Sequence, residues 1–485
     1  MNPLVTVVSM ALDRAASDHV NQVWKEIVPV LHDYIKIPNV SEVFDPDWRQ
    51  HGYMQQAVDL IRDWCAARPI EGMTVSVQEL PQRTPVIVIE VAQFGQAGGG
   101  LGVDDTVLLY GHLDKQPEME GWSDGRGPWT PVLEGDRLYG RGGADDGYAA
   151  FASLTAIEAL QTAGGSHGRC LVLIEASEES GSPDLAAHVE ALADRLGSPS
   201  LVVCLDSGCI DYDRMWVTTS LRGLVGAVLT VDIVTAGLHS GDVSGMVPSS
   251  FRIARSMLSR IEDESTGRIS LDSCQTDIPA DRVAQANSTA ADIGAIADHY
   301  PFVDGAGPTT ADAAEQLLAR TWRAALSVVG ADGLPPSSRA GNVLRPSTSL
   351  KLSLRLPPNA DCEAVAEELS RVLLADPPYG ARVTLSDLET GPGWNAPALA
   401  PWLESALDAA SVAAFGEPAR LFGEGGSIPF MGMLGERFPA AQFVITGALG
   451  PDANAHGPDE YLHVPTARSL TVAVAELLDA HARRT

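Results

Sequence analysis

Along most of the chain, short apolar runs alternate with longer stretches in which apolar residues recur every three or four positions. Short runs bounded by Gly, Pro, Asn or Asp predict strands, and the wider recurrence predicts helices. On this basis helices are expected over 20–37, closed by Pro38, and over 53–67, 149–163 and 185–196. Strands are expected over 73–80, 85–92, 107–110, 169–175 and 201–205, with Gly98, Gly99 and Gly100 as a surface hairpin. Strands alternating with helices imply an α/β fold with a mainly parallel sheet covered by helices on both faces. After about Ser220 the pattern changes. Residues 224–234 alternate as a half-exposed strand, 249–262 are helical, and 263–308 are less regular. A helix near 311–322, a strand over 350–356, a helix over 363–374 and a strand over 381–388 follow. Antiparallel strands with helices on one face suit an α+β domain inserted into the first. The expected division is therefore a catalytic domain of 1–219 with 390–485, and an inserted domain of 220–389.

The chemistry concentrates where predicted strands end. His112 and Asp114 close the apolar run 107–110, Glu178 and Glu179 follow 169–175, and Asp206 follows 201–205. Open α/β sheets place their sites at such carboxyl ends. Between them lies a glycine-rich turn, Gly140-Arg141-Gly142, leading to adjacent carboxylates at Asp145 and Asp146. Imidazole and carboxylate together suit Zn, Mn or Co, whereas Ca or Mg would favour oxygen alone. The plainer reading of these residues is a polar loop with a capping Asp.

Charge and composition narrow the classes. The formal net charge is −30, and lysine occurs only at Lys25, Lys36, Lys115 and Lys351. Such a surface repels phosphate backbones and anionic lipid, so neither a nucleic-acid nor a membrane partner is expected. The six cysteines, Cys65, Cys170, Cys204, Cys209, Cys274 and Cys362, form no CxxC pair and read as reduced, mostly buried thiols of a cytoplasmic protein. Cys204 and Cys209 flank Asp206 but are read as core residues. The first residues lack the basic start and long apolar core of a signal peptide.

Taken in order, His112-x-Asp114, Gly140-Arg141-Gly142…Asp145-Asp146, Glu178-Glu179-Ser180-Gly181, Asp206, Leu238-His239-Ser240-Gly241 and His456 resemble the M20 metallopeptidases, dipeptidase branch, over nearly the whole chain. In one respect the chain departs from that branch: Gly147 stands where a Lys usually follows the paired Asp. The resemblance implies two divalent ions per subunit, zinc first, with manganese or cobalt as alternatives. It implies that His112, Asp206 and Asp145 hold one ion, and His456, Glu179 and the other oxygen of Asp145 the second. It implies a cis peptide between Asp145 and Asp146. Glu178 becomes the general base and Asp114 the group that orients His112. The inserted domain is implied to act as lid and dimerisation surface, from which His239 and Asn342 reach the partner's site in a homodimer. His239 would stabilise the oxyanion. Arg355 and Ser427 would hold the C-terminal carboxylate of a small peptide substrate. The plainer readings are a structural histidine at His239 and a surface ion pair at Arg355. The implied activity is hydrolysis of short peptides, most simply dipeptides. The alternatives are an N-acyl-amino-acid deacylase or desuccinylase, and a metal-free binding homologue.

Overall fold

The computed structural model describes residues 3–102, 104–426 and 428–485, except for the side chains of 3–13 and Pro429. They divide into two compact units, one of Met1–Thr218, Ala396–Leu421 and Met433–Thr485, the other of Thr219–Asn395 and Phe422–Gly432.

The first unit is built on a sheet whose strands run in the order Met73–Gln78, Val86–Val91, Arg169–Glu175, Asp105–His112, Ser198–Cys204 and Gln442–Ile445. The last four are mutually parallel, while the first two are joined antiparallel at the edge. Near-continuous apolar runs make these strands: Val107–Tyr110 and Cys170–Ile174 are fully buried, as strands covered on both faces must be. Helix Ala149–Ala163 is apolar nearly all round, and every residue from Ala149 to Leu160 is buried. It packs with helices Pro3–Ile35 and Val464–Arg483 in one continuous core. Truncating Leu154 in that helix to Ala should cost about 2–5 kcal/mol.

Three expectations needed correction. The first helix begins at Pro3, well before residue 20. The 185–196 helix is split into Leu185–Ala191 and Ala193–Leu196. The Gly98–Gly100 run is not a free hairpin: Gly98 and Gly100 donate to the carbonyls of Ala482 and Arg484 at 2.7 and 3.0 Å, meeting the otherwise unpaired end of the last helix.

The second unit carries an antiparallel sheet in the order Ala325–Asp332, Ser347–Leu356, Gly223–Asp232 and Arg382–Gly391. Buried and less buried positions alternate along Ser347–Leu356, and the buried face meets helices Ser250–Leu258 and Cys362–Leu374. Two elements here lay outside the sequence reading. Helix Ala280–Ile293 buries only Arg282, Ala286 and Thr289, so its inward face has no apolar period. Strand Ala325–Asp332 is an edge strand with Val328 and Val329 exposed, and its pattern does not alternate. Among the described residues, no helix is long and apolar enough to cross a membrane.

Candidate metal centre

Three adjacent parallel strands bring their carboxyl ends together. His112 ends the central one, Glu178 and Glu179 follow the strand on one side, and Asp206 follows the strand on the other. Asp145 arrives from the turn Gly143–Gly147, where the Asp145–Asp146 peptide is cis. His456 arrives from the loop 450–460 with a left-handed backbone, φ 63°.

Asp145 sits at the junction. Its Oδ1 lies 3.2 Å from Nε2 of His112, and its Oδ2 lies 2.9 Å from Nε2 of His456. Asp206 approaches His112 Nε2 to 3.8 Å, and Glu179 approaches His456 Nε2 to 3.3 Å. Two sets of three donors result, His112–Asp145–Asp206 and Asp145–Glu179–His456, each with its ligand atoms within 4.8 Å of one another. The other ring nitrogen of His112 faces the Asp114 carbonyl at 3.2 Å, which aims Nε2 at the carboxylates. Asp114 uses its side chain on the neighbouring turn, accepting the backbone N–H groups of Glu178 at 3.1 Å and Glu179 at 3.0 Å.

The turn before Asp145 is tied to the loop carrying His456. Arg141 is buried and ion-paired with Glu460, whose other oxygen accepts the N–H of Gly142 at 2.7 Å. Gly142 has φ 80°, and a Cβ there would meet the Lys115 side chain at 2.6 Å, so the turn requires glycine. Gly147 is similarly confined: its Cβ would lie 2.2 Å from the Tyr34 ring and 2.6 Å from the Gly142 carbonyl.

The electrostatics call for cations. Burial, then Asp206, pushes Glu178 well above the usual carboxylate range, and burial, then Asp145, does the same to Glu179. Burial also raises Asp145, but hydrogen bonds from His112 and His456 outweigh it and hold that carboxyl below its ordinary value. Among the described residues, no arginine or lysine pairs with Asp145, Glu178, Glu179 or Asp206. Crowded buried carboxylates with two imidazoles and no fixed counter-charge fit divalent ions of the Zn, Mn or Co type.

His239, Asn342 and Arg355 lie in the second unit. His239 and Asn342 meet across a short antiparallel ladder, in which His239 pairs with Val343 and the N–H of Ser240 donates to the Asn342 carbonyl at 2.9 Å. Both residues are exposed. Arg355 is half-buried near the end of Ser347–Leu356. Ser427 lies outside the described residues. Two residues to which the sequence assigned no role also belong here: Asp146, whose buried carboxylate accepts the His112 N–H at 3.3 Å, and Glu460. Asp146 adjoins Asp145, and Glu460 follows His456 by four positions in the same loop.

The chain is 28% identical over 384 residues to a cysteinylglycine-S-conjugate dipeptidase from Corynebacterium striatum, covering 78% of this chain and 81% of that one. It is 25% identical over 353 residues to human beta-Ala-His dipeptidase, covering 72% and 68%. Similarity to a succinyl-diaminopimelate desuccinylase from Dechloromonas aromatica reaches 32% but spans only 26% of this chain and 33% of that one. Among solved structures, the fold is similar to the dipeptidase Dug1p from Saccharomyces cerevisiae, with TM-score 0.74 and 20% identity over 97% of this chain and 99% of that one. It is also similar to human carnosine dipeptidase 1, with TM-score 0.72 and 21% identity over 97% and 100%. The model of peptidase family M20/M25/M40 matches residues 108–480, and the chain belongs to that family.

Proposed function

We propose that this protein is a homodimeric dipeptidase of the cytoplasm with two zinc ions per subunit, manganese and cobalt being the alternatives. The observation that carries the reading is the pair of three-donor sets meeting on the two oxygens of Asp145. His112, Asp145 and Asp206 would hold one ion, and Asp145, Glu179 and His456 the other. Two ions so held supply a hydrolytic nucleophile near neutral pH and polarise the scissile carbonyl.

The chain's own groups do the rest. Glu178 stands next to a ligand without belonging to either set, and its buried carboxyl holds protons more tightly than usual. It accepts a proton on its carboxylate and returns it to the leaving amine. Asp114 keeps both His112 and the Glu178–Glu179 turn in place. Arg355 takes the C-terminal carboxylate, with Ser427 alongside. His239 and Asn342 serve the partner subunit's site, and the second unit acts as lid and dimerisation surface.

The test is hydrolysis of a dipeptide panel against N-acetyl and N-succinyl amino acids, before and after chelation. Dipeptides should be cleaved, chelation should abolish cleavage, and added Zn, Mn or Co should restore it. Full activity in verified metal-free protein, or cleavage of the N-acyl compounds alone, contradicts the reading. The metal should also raise Tm by binding only the native state.

A further inference from the structure

The second unit carries an open cavity of about 750 Å³ lined by Arg222, Arg320 and Arg355. They come from separate places in the sequence: Arg222 follows strand Trp216–Leu221, Arg320 sits in the last turn of helix Ala313–Thr321, and Arg355 nears the end of Ser347–Leu356. Three guanidinium groups thus converge in a chain whose net charge is −30. None of the three has a carboxylate within ion-pairing distance among the described residues. The acceptors they do have are neutral: Nε of Arg222 donates to the Gly425 carbonyl at 3.2 Å, and Nη1 of Arg320 donates to the Tyr300 hydroxyl at 3.3 Å.

The cavity is shaped around these cations. A Cβ on Gly425 would stand 3.0 Å from Nη2 of Arg222, so the glycine leaves room for the guanidinium. Burial, then the positive charges of Arg355 and Arg320, lower the pKa of Arg222 to about 10. Like charges gathered in a half-buried cavity cost free energy unless an anion joins them. Glu424 is the single acidic residue on the wall. A peptide's C-terminal carboxylate on Arg355 would cancel one further charge, and a surplus positive charge would remain. Ile296, Phe302 and Pro308 also line the cavity and suit a short aliphatic stem. Guanidinium forks match carboxylate geometry, which favours a second carboxylate over a neutral amide.

We propose that Arg222 and Arg320 form a second anion subsite beside Arg355, selecting peptides whose C-terminal residue carries a side-chain carboxylate. The inference rests on the reading of Arg355 as the holder of the C-terminal carboxylate.

The test compares near-isosteric pairs on the metal-loaded enzyme, Ala-Glu with Ala-Gln and Ala-Asp with Ala-Asn. The kcat/KM ratio within a pair should favour the acid at least ~10-fold, the scale of a charge-assisted hydrogen bond. Arg320→Gln should pull that ratio toward one and Arg320→Lys should keep part of it; a merely structural role would lower both members of a pair together. Arg222→Gln should act in the same direction. A wild-type ratio near one, or a ratio unchanged in both glutamine variants, overturns the proposal. If no dipeptide is cleaved, the peptidase reading fails and calorimetry judges the subsite separately, with glutarate and butyrate as probes. Glutarate bound ~10-fold more tightly than butyrate, with the preference lost in Arg320→Gln, sustains it. Equal binding of the two probes overturns it.

Discussion

Asp114 accepts the backbone N–H of Glu178 at 3.1 Å through the same oxygen that lies 3.5 Å from Nδ1 of His112. Its other oxygen holds the N–H of Glu179 at 3.0 Å, so one fully buried carboxylate fixes both sides of the centre. Asp114→Ala leaves two N–H groups without their acceptor and should cost about 1–3 kcal/mol of stability. Metal affinity or turnover should fall about 10–100-fold, as for other groups behind a ligating imidazole. Metal titration and steady-state kinetics measure this, and wild-type values for both would remove Asp114 from the centre.

Glu178→Gln preserves shape and removes the proton acceptor. Turnover should drop about 10²–10⁴-fold, the range for a general acid–base group. Metal content, read by elemental analysis, should stay at the wild-type level because Glu178 belongs to neither three-donor set. Normal turnover would mean another group moves the proton.

Stability should decline in acid through His481. This imidazole is fully buried, with Nε2 at 2.8 Å from the Ser200 hydroxyl and Nδ1 without a hydrogen-bond partner. Burial, then the Arg484 charge, pulls its pKa from 6.5 down to about 3. The unfolded chain therefore binds the proton first as pH falls. The stabilising contribution is present in full above pH 6.5 and is lost progressively between there and about 3. The slope contributed is up to about 1.4 kcal/mol per pH unit for one proton. In urea titrations between about pH 6 and 4, His481→Gln should be less pH-dependent than wild type by roughly one proton. Parallel slopes would show that His481 is not the titrating group.

Subunit sharing can be tested by complementation. His239→Ala and Glu178→Gln proteins should each be nearly inactive. Mixed under subunit exchange, they should recover about a quarter of wild-type activity, because about half the dimers are hybrids with one intact site each. No recovery despite proven exchange would mean that His239 acts within its own chain or not at all.

The sheet, and the placing of His112, Glu178, Glu179 and Asp206 at its strand ends, were legible for one physical reason, whereas Asp145 in its turn and His456 in its loop were singled out as ligands only by the family resemblance. Buried parallel strands are unbroken apolar runs, and their ends, at His112, Glu175 and Cys204, are where ionisable residues begin. What escaped notice had no such contrast. Helix Ala280–Ile293 is inward-facing through arginine, alanine and threonine, and strand Ala325–Asp332 exposes its valines. The contacts of Arg141 and Glu460 join residues 319 positions apart, a relation that periodicity cannot express. Arg222 and Arg320 are ordinary arginines until the fold gathers them around one cavity.

Gly147 closes a door on sequence change. The Tyr34 ring that fills the space beside it is fully buried, and its hydroxyl is anchored to the Leu113 carbonyl at 2.6 Å, so the ring cannot readily yield. Removing the ring would not suffice, since the Gly142 carbonyl also stands within 2.6 Å of the missing Cβ. A lysine at this point would therefore require more than one replacement. Both the helix residue at position 34 and the turn at 142 must give way for any side chain to enter at 147.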